Sequence, residues 1–234
     1  IRLRGGNYLV GPTMRPGTLH QYNASGEFIR AIGGLGEGPQ EFSTFFSLTE
    51  GFGDSIAVVE VMGRVKILSP DLRVARTFRV PGELRRGFLL ADHRLFANNV
   101  VRTANAIGAA VHKLSALGEI ESSISPTGSV YRRDRPWTHW RAIAAAAAKG
   151  VWVGHYNQYR LEHWDSLGNM RQVLVRDPDW FEPWALLDTR PNPTPSPALT
   201  SLWLDGRGYL WTFTEVPDPT WKPEKVKGEG ATLT

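Results

Sequence analysis

LHQYNASGEFIRAI (residues 19–32), VKILSPDLRVARTF (65–78), VHKLSALGEIESSI (111–124) and LEHWDSLGNMRQVL (161–174) are one pattern written four times in the same register. Each copy opens with apolar residues alternating along a half-buried strand, Val65 and Ile67 in the second, Val111 in the third. A four-residue turn follows: Asn23 to Gly26, Ser69 to Leu72, Ser115 to Gly118 and Asp165 to Gly168. Gly closes the turn in three copies because a hairpin turn commonly needs one residue at positive φ. Leu72 stands there in the second copy, and the reading is a Pro70-led type I turn in its place. The chain then alternates again on the way back, from Phe28, Val74, Ile120 and Met170.

A second hairpin precedes every copy. Its marks are turn residues before a short apolar run: Gly5-Gly6-Asn7 before YLV, Gly53-Asp54-Ser55 before IAVVE, Asp92-His93-Arg94 before LFA, and Lys149-Gly150 before VWV. A fifth turn, Asp205 to Gly208, leads into YLWTFT without a further copy of the repeat. Four strands per unit result, named A to D here, and such a unit cannot bury both faces alone. Radial stacking of the units is the β-propeller solution. A β-sandwich accounts for many short strands but gives no reason for a C-turn-D unit of fixed spacing. Ala144 to Ala148 favour helix by propensity, yet in register they fall on strand A, next to the propeller axis where small side chains fit.

Between the first and second copies runs GGLGEGPQEFS (33–43). Gly34, Gly36, Gly38, Pro39 and Phe42 resemble the G-x-G-x-G-P-x-x-F junction of the NHL-type six-bladed propellers, and Glu60 stands where that family usually has an acidic residue. The resemblance implies a bacterial six-bladed ring and a range of activities: scaffolding modules, a lyase acting on amidated peptide precursors, lactonases and strictosidine synthases. The junction itself reads as a flexible blade linker, because no strand-to-helix pattern surrounds its glycines.

The sequence of 234 residues begins at Ile1, partway through a unit, and the expectation is a single propeller domain over 1–234 that forms part of a six-bladed ring, about four to five blades, truncated at both ends. A five-bladed ring closed by the two remnants is the alternative. Cysteine is absent, which excludes disulfides, zinc-thiolate sites and thiol nucleophiles. A formal net charge of +4 is spread along the chain without the basic stripe of a nucleic-acid surface. No apolar run approaches the ~20 residues of a membrane span, and a periplasmic or extracellular location is favoured.

In a propeller the B-to-C and D-to-A loops share one face, and every long segment of this chain falls there, which makes that face the candidate binding surface. All nine Trp lie at or after Trp137. Trp152, Trp164, Trp203 and Trp211 occupy strands, where packing between blades accounts for them. Trp137, Trp140, Trp180, Trp184 and Trp221 sit in or beside loops. With Arg132, Arg133, Arg135, His139 and Arg141 they read either as small loop cores or as an apolar and cationic floor for a peptide, protein or glycan. The ligand candidates are Arg132, Arg135, Trp137, His139, Trp140, His155, Tyr156 and Asn157. Glu60, Asn98 and His155, at B-strand ends, are candidate ligands of a divalent cation, which would suit a metal-assisted hydrolase or lyase of the lactonase or amidating-lyase kind. No G-x-S-x-G elbow, H-E-x-x-H helix or Walker segment is present.

Overall fold

A computed structural model of the chain describes all residues except 13–15, 51–54, 90–93, 101–107, 129–130, 132–134, 147–149, 186–193, 219 and 221–234. Its regular structure is β throughout, with two single 3₁₀ turns and no α-helix among the described residues. Five antiparallel sheets follow in chain order. Blade I is three-stranded, β1 (Tyr8–Val10), β2 (Leu19–Tyr22) and β3 (Phe28–Ile32). A short parallel pair, β4 (Gly34–Leu35) with β5 (Glu41–Phe42), forms the junction. Blade II is β6 (Phe45–Glu50), β7 (Ile56–Glu60), β8 (Arg64–Leu68) and β9 (Val74–Arg79). Blade III is β10 (Glu83–Leu89), β11 (Leu95–Val100), β12 (Ala109–Leu114) and β13 (Ile120–Pro126). Blade IV is β14 (Arg141–Ala145), β15 (Val151–His155), β16 (Arg160–Trp164) and β17 (Met170–Val175), and blade V is the pair β18 (Ala198–Leu204) and β19 (Leu210–Glu215).

Each sheet is a simple meander with strands in chain order, as the four copies require. The A strands lie against one another, β6 by β10, β10 by β14 and β14 by β18, which places them innermost in a propeller arc. Crowding there explains the alanines: Ala142 and Ala144 are buried on β14, and tertiary context overrides their helix propensity.

The core is divided into four apolar clusters, one between each pair of successive blades. Leu9, Leu19 and Ile32 of blade I meet Ile56, Val58 and Leu68 of blade II. Val59, Val65 and Phe78 meet Leu84, Leu95 and Leu114. Phe96, Val111 and Ile124 meet Val151, Val153 and Trp164, and Leu161 and Tyr159 meet Leu199 and Leu202. The first residue of every repeat, Leu19, Val65, Val111 and Leu161, therefore faces the following blade. At the two ends of the arc the pattern leaves apolar side chains uncovered, Tyr8, Val10 and Phe28 on blade I and Trp203, Trp211 and Phe213 on blade V. Packing between blades accordingly explains Trp152 and Trp164, but Trp203 and Trp211 are exposed, against expectation, because no described blade follows them.

The C-to-D turns share one geometry. In each, the fourth residue donates its N–H to the first residue's carbonyl, and the first donates to the residue after the turn: Gly26 to Asn23 and Asn23 to Glu27, Gly118 to Ser115 and Ser115 to Glu119, Gly168 to Asp165 and Asp165 to Asn169. The side chain of the first residue caps the loop, with Asp165 Oδ1 accepting from the N–H groups of Leu167 and Asn169 at 2.9 Å each. The second copy does not depart from this. Leu72 donates to Ser69 in the same way and adopts φ 66°, the left-handed position the glycines occupy at 85–86°. The expected replacement of that geometry is thus corrected: Pro70 leads the turn, but Leu72 accepts the backbone strain because its side chain is buried in the cluster between blades I and II.

The junction is held by specific contacts. Gly38 donates its N–H to Glu41 Oε2 at 2.8 Å, Gly36 donates to the Phe42 carbonyl at 3.0 Å, and Phe42 is fully buried. Beneath it the buried ammonium of Lys66 donates to the carbonyls of Gly38 and Glu41. A side chain at Gly33, φ 73°, would collide with Phe42, so glycine is required there.

Leu72 gives a test of this balance. Leu72→Gly removes about 1 kcal/mol of left-handed strain and Leu72→Ala keeps it, while both lose the ~2–4 kcal/mol of buried side chain. Urea unfolding should rank the proteins wild type, then Leu72→Gly, then Leu72→Ala in falling stability. An alanine variant at least as stable as the glycine variant contradicts the assignment.

Candidate functional site

An arrangement of buried polar groups lies on the loop-rich side, where the D-to-A segment of blade III and the B-to-C loop of blade IV face each other. It begins with a strained residue. Ser125, near the end of β13, is buried at φ 56°, and its Oγ accepts a 3.0 Å hydrogen bond from Arg141 Nε. Pro136 opens a 3₁₀ turn through His139, whose carbonyls come back toward the start of β14. Arg141 Nη1 donates to the Thr138 and Trp140 carbonyls, both at 2.9 Å. Arg141 is 4% exposed and, among the described residues, has no carboxylate as a direct partner; burial lowers its pKa to about 10, against the nearby charge of Glu162.

Opposite stands a second set. His155, the last residue of β15, and Glu162 on β16 share a 2.9 Å hydrogen bond between Nε2 and Oε1. Arg160 Nε donates to the same oxygen at 2.9 Å, and Trp164 Nε1 donates to Oε2 at 3.1 Å. Burial alone would raise the Glu162 pKa, but these three donors and the charge of His155 hold it at about 2. Burial lowers the pKa of His155 despite the raising effect of Glu162. His155 is therefore a neutral imidazole at neutral pH, with Nε2–H given to Glu162 and the lone pair on Nδ1.

These groups border a cavity of about 570 Å³. Arg135, Arg141, Arg160, His155, Glu162 and Asn157 line it. Beside it runs an aromatic wall: Trp140 meets Tyr156 edge-on at 4.8 Å, Tyr156 meets Trp184 at 6.0 Å, and Trp184 meets Trp137 at 5.5 Å. The wall is stitched to the cavity rim, since Trp137 Nε1 donates to the Ala185 carbonyl at 3.2 Å and Asn157 Nδ2 donates to the Trp184 carbonyl. Trp140 Nε1 is buried with no acceptor.

Of the ligand-binding candidates, Arg135, Trp137, Trp140, His155, Tyr156 and Asn157 thus come together. Arg132 lies outside the described residues, as do Arg133 and Trp221. His139 plays a packing part: buried against the Tyr131 ring, it has Thr138 Oγ1 3.1 Å from Nδ1, and its carbonyl receives Asn98 Nδ2 at 2.8 Å.

The three cation candidates are each engaged with protein groups. Glu60 Oε1 accepts from the Ser43 N–H at 2.7 Å and Oε2 lies 2.7 Å from Arg64 Nε. Asn98 Nδ2 donates to Ala110 and His139 carbonyls, its Oδ1 faces the Arg141 N–H at 3.4 Å, and His155 is held by Glu162. Among the described residues, no group of three or more His, Asp or Glu is placed to hold a metal ion.

Glu162 and Arg160 escaped the sequence reading. A signal for Glu162 was there: the second residue of the four copies is His20, Lys66, His112 and Glu162, polar every time and pointing away from the apolar first residue. Lys66, His112 and Glu162 are buried, and His20, with no described blade before it, is exposed.

No family model matches the chain, and no curated protein matches it. Solved structures do. The chain is similar to the Cps50 (Swd1) β-propeller domain of Myceliophteria thermophila, with TM-score 0.54 at 14% identity over 91% of this chain and 59% of that one. It is similar to virginiamycin B lyase of Staphylococcus aureus, TM-score 0.53 at 12% identity, over 94% of this chain and 69% of that one. A DUF4221 family member of Bacteroides vulgatus gives TM-score 0.58 at 11% identity over 95% and 77%. Two further Bacteroides proteins are spanned over only 63% and 50% of their lengths. At such identities the likeness shows the fold: the chain is a β-propeller of four-stranded antiparallel blades.

The buried histidines predict a pH dependence. Burial lowers both His112 and His139 to about 4, so the unfolded chain, titrating near 6.5, binds more protons between those values. Stability is then fully present above pH ~6.5 and falls as pH drops toward 4, by roughly 3 kcal/mol per residue. Urea unfolding from pH 8 to 4 should show the slope, and His112→Gln should remove about one proton's share of it. A flat profile contradicts the neutral burial of these rings.

Proposed function

We propose that the protein is a non-catalytic propeller of the NHL type, built on a six-bladed plan, that binds a peptide, protein or glycan on its loop-rich face. The observation that carries the reading is the 570 Å³ cavity with its aromatic wall, formed by strand ends and loops of blades III and IV on that face. Indole and phenol edges give a ligand large contact areas at small entropic cost, and the guanidinium and amide groups of the cavity fix its orientation. The NHL type and blade number rest on the 33–43 junction. There the structure adds a reason for the motif: the glycines make room for Phe42 and the Glu41 carboxylate, and Lys66 holds the loop's carbonyls. Among the described residues no helix is long and apolar enough to cross a membrane.

A second reading is favoured by one observation, the His155–Glu162 pair. A neutral imidazole whose Nε2–H is held by a buried carboxylate presents Nδ1 as a proton acceptor, the arrangement a lyase uses to remove a proton from its substrate. Virginiamycin B lyase shares the fold, and a lyase or hydrolase activity here would use His155 as base. The metal-assisted form of this reading has less support, because Glu60 and Asn98 already satisfy protein groups.

The two readings part in one experiment. Glycan and peptide arrays probed with labelled protein should give ligands whose binding falls at least tenfold in Trp140→Ala, is unchanged by EDTA, and is not followed by turnover. Turnover of an array ligand, or of virginiamycin B, that disappears in His155→Gln would instead establish the enzyme. Binding indifferent to Trp140→Ala would remove the wall from the site.

A further inference from the structure

We infer that the cavity between blades III and IV receives a carboxylate, the free C-terminus of a peptide, seated on the guanidinium of Arg141. The inference rests on the reading of this cavity as the ligand site and specifies what enters it.

Charge is the first argument. Among the described residues that line the cavity, Arg141 and Arg160 stand against the carboxylate of Glu162, and His155 is neutral. Glu162 is already engaged by His155, Arg160 and Trp164, so it serves Arg141 only from a distance. A cation that is almost wholly buried without a contacting anion is costly, and burial of such groups is ordinarily matched by a partner. An anionic ligand supplies one.

Donor geometry is the second. Arg141 spends Nε on Ser125 and Nη1 on two carbonyls, which fixes the plane of the guanidinium; Nη2 has no acceptor among the described residues. That rigidity is built at a cost, because Ser125 holds its left-handed backbone while its hydroxyl anchors Nε. The same wall shows which anion suits it: Glu162, a planar carboxylate, takes the Nε of Arg160 at 2.9 Å. Planar guanidinium forks match carboxylates in this manner.

The third argument concerns the rest of the ligand. Asn157 and Gln158 place amide groups on the rim, able to donate to and accept from a peptide backbone. The aromatic wall adjoins the same rim, joined to it through Ala185 and Asn157. A chain end reaches a buried arginine while the preceding residues lie across amides and then rings. An internal acidic side chain would have to bring two chain directions into the same space.

The test uses pools of N-acetylated tripeptides with free C-termini and the same pools as C-terminal amides, titrated against the whole protein by saturation-transfer NMR. Acid pools should bind at least tenfold more tightly than amide pools, and acetate in excess should displace them. Arg160→Gln should weaken the acid pools severalfold and leave the amide pools unchanged. Arg141→Lys keeps the charge but not the fork and should do the same more strongly. Where Arg141→Lys fails to fold, by circular dichroism, the Arg160 variant and the acetate competition decide. Equal binding of acids and amides overturns the carboxylate while the binding reading stands. Displacement by inorganic phosphate and not by acetate overturns it in favour of a phosphorylated ligand. Binding of glycans with neither peptide pool overturns the peptide, and no binding by any probe overturns the reading of the cavity itself.

Discussion

A four-stranded sheet with apolar residues on both faces must be covered twice, and this constraint governs the molecule. Each of the four apolar clusters joins two successive blades, so no blade has a core of its own. Burying a Leu, Val or Phe contributes roughly 2 kcal/mol, and every cluster contains such residues from each side. Stability therefore belongs to the interfaces, and the loops above them can be long without weakening the stack. The site is placed by the same rule. Beside the cluster of Phe96, Val111, Val151 and Val153, the cavity lies between residues 126–128 and 135–141 on one side and the His155 to Arg160 loop on the other.

One register position links fold to chemistry. The second residue of the repeat points opposite to the core-forming first residue and is polar in all four copies. In blade II this residue is Lys66, spent on the carbonyls of Gly38 and Glu41, so its charge closes the junction. In blade III it is His112, which shares hydrogen bonds with Ser123 and the Asn99 carbonyl inside its own sheet. In blade IV it is Glu162, which gathers His155, Arg160 and Trp164 at a cavity. The same backbone slot thus serves a loop, a sheet and a site, depending on the side chain it holds.

The sequence was most legible where one periodicity controls the answer. Strand order, the starts of β7, β11 and β15, and the strand character of Ala144 all follow from the register of the copies, because alternation and turn chemistry act locally. Leu72 was misread since its φ is settled by burial between two blades, information that the turn residues do not contain. Trp203 and Trp211 were assigned to packing by the same register, but what covers a blade face is another blade, which a single strand cannot announce. At the site, Trp140, Tyr156 and Asn157 could be placed on the correct side because loops inherit their face from the strands they join. Glu162 and Arg160 are not legible in this way, because the residues that hold His155 come from a strand and not from a loop.

The placement of the site between blades III and IV has a physical reason beyond the loops. Comparable polar groups elsewhere are closed: Glu60 is met by Ser43 and Arg64, and Asn98 by two carbonyls. Arg141 differs because the donors that would ordinarily seek a carboxylate are given carbonyls and a hydroxyl, neutral acceptors that orient the cation without discharging it. Neutral acceptors leave the field of the guanidinium directed into the cavity, where low dielectric surroundings strengthen it. Glu162 is near enough to temper that field and too fully engaged to cancel it. The arrangement is thus one buried cation fixed beside the interface between two blades, while the carboxylate nearest to it among the described residues, Glu162, is assigned to other partners.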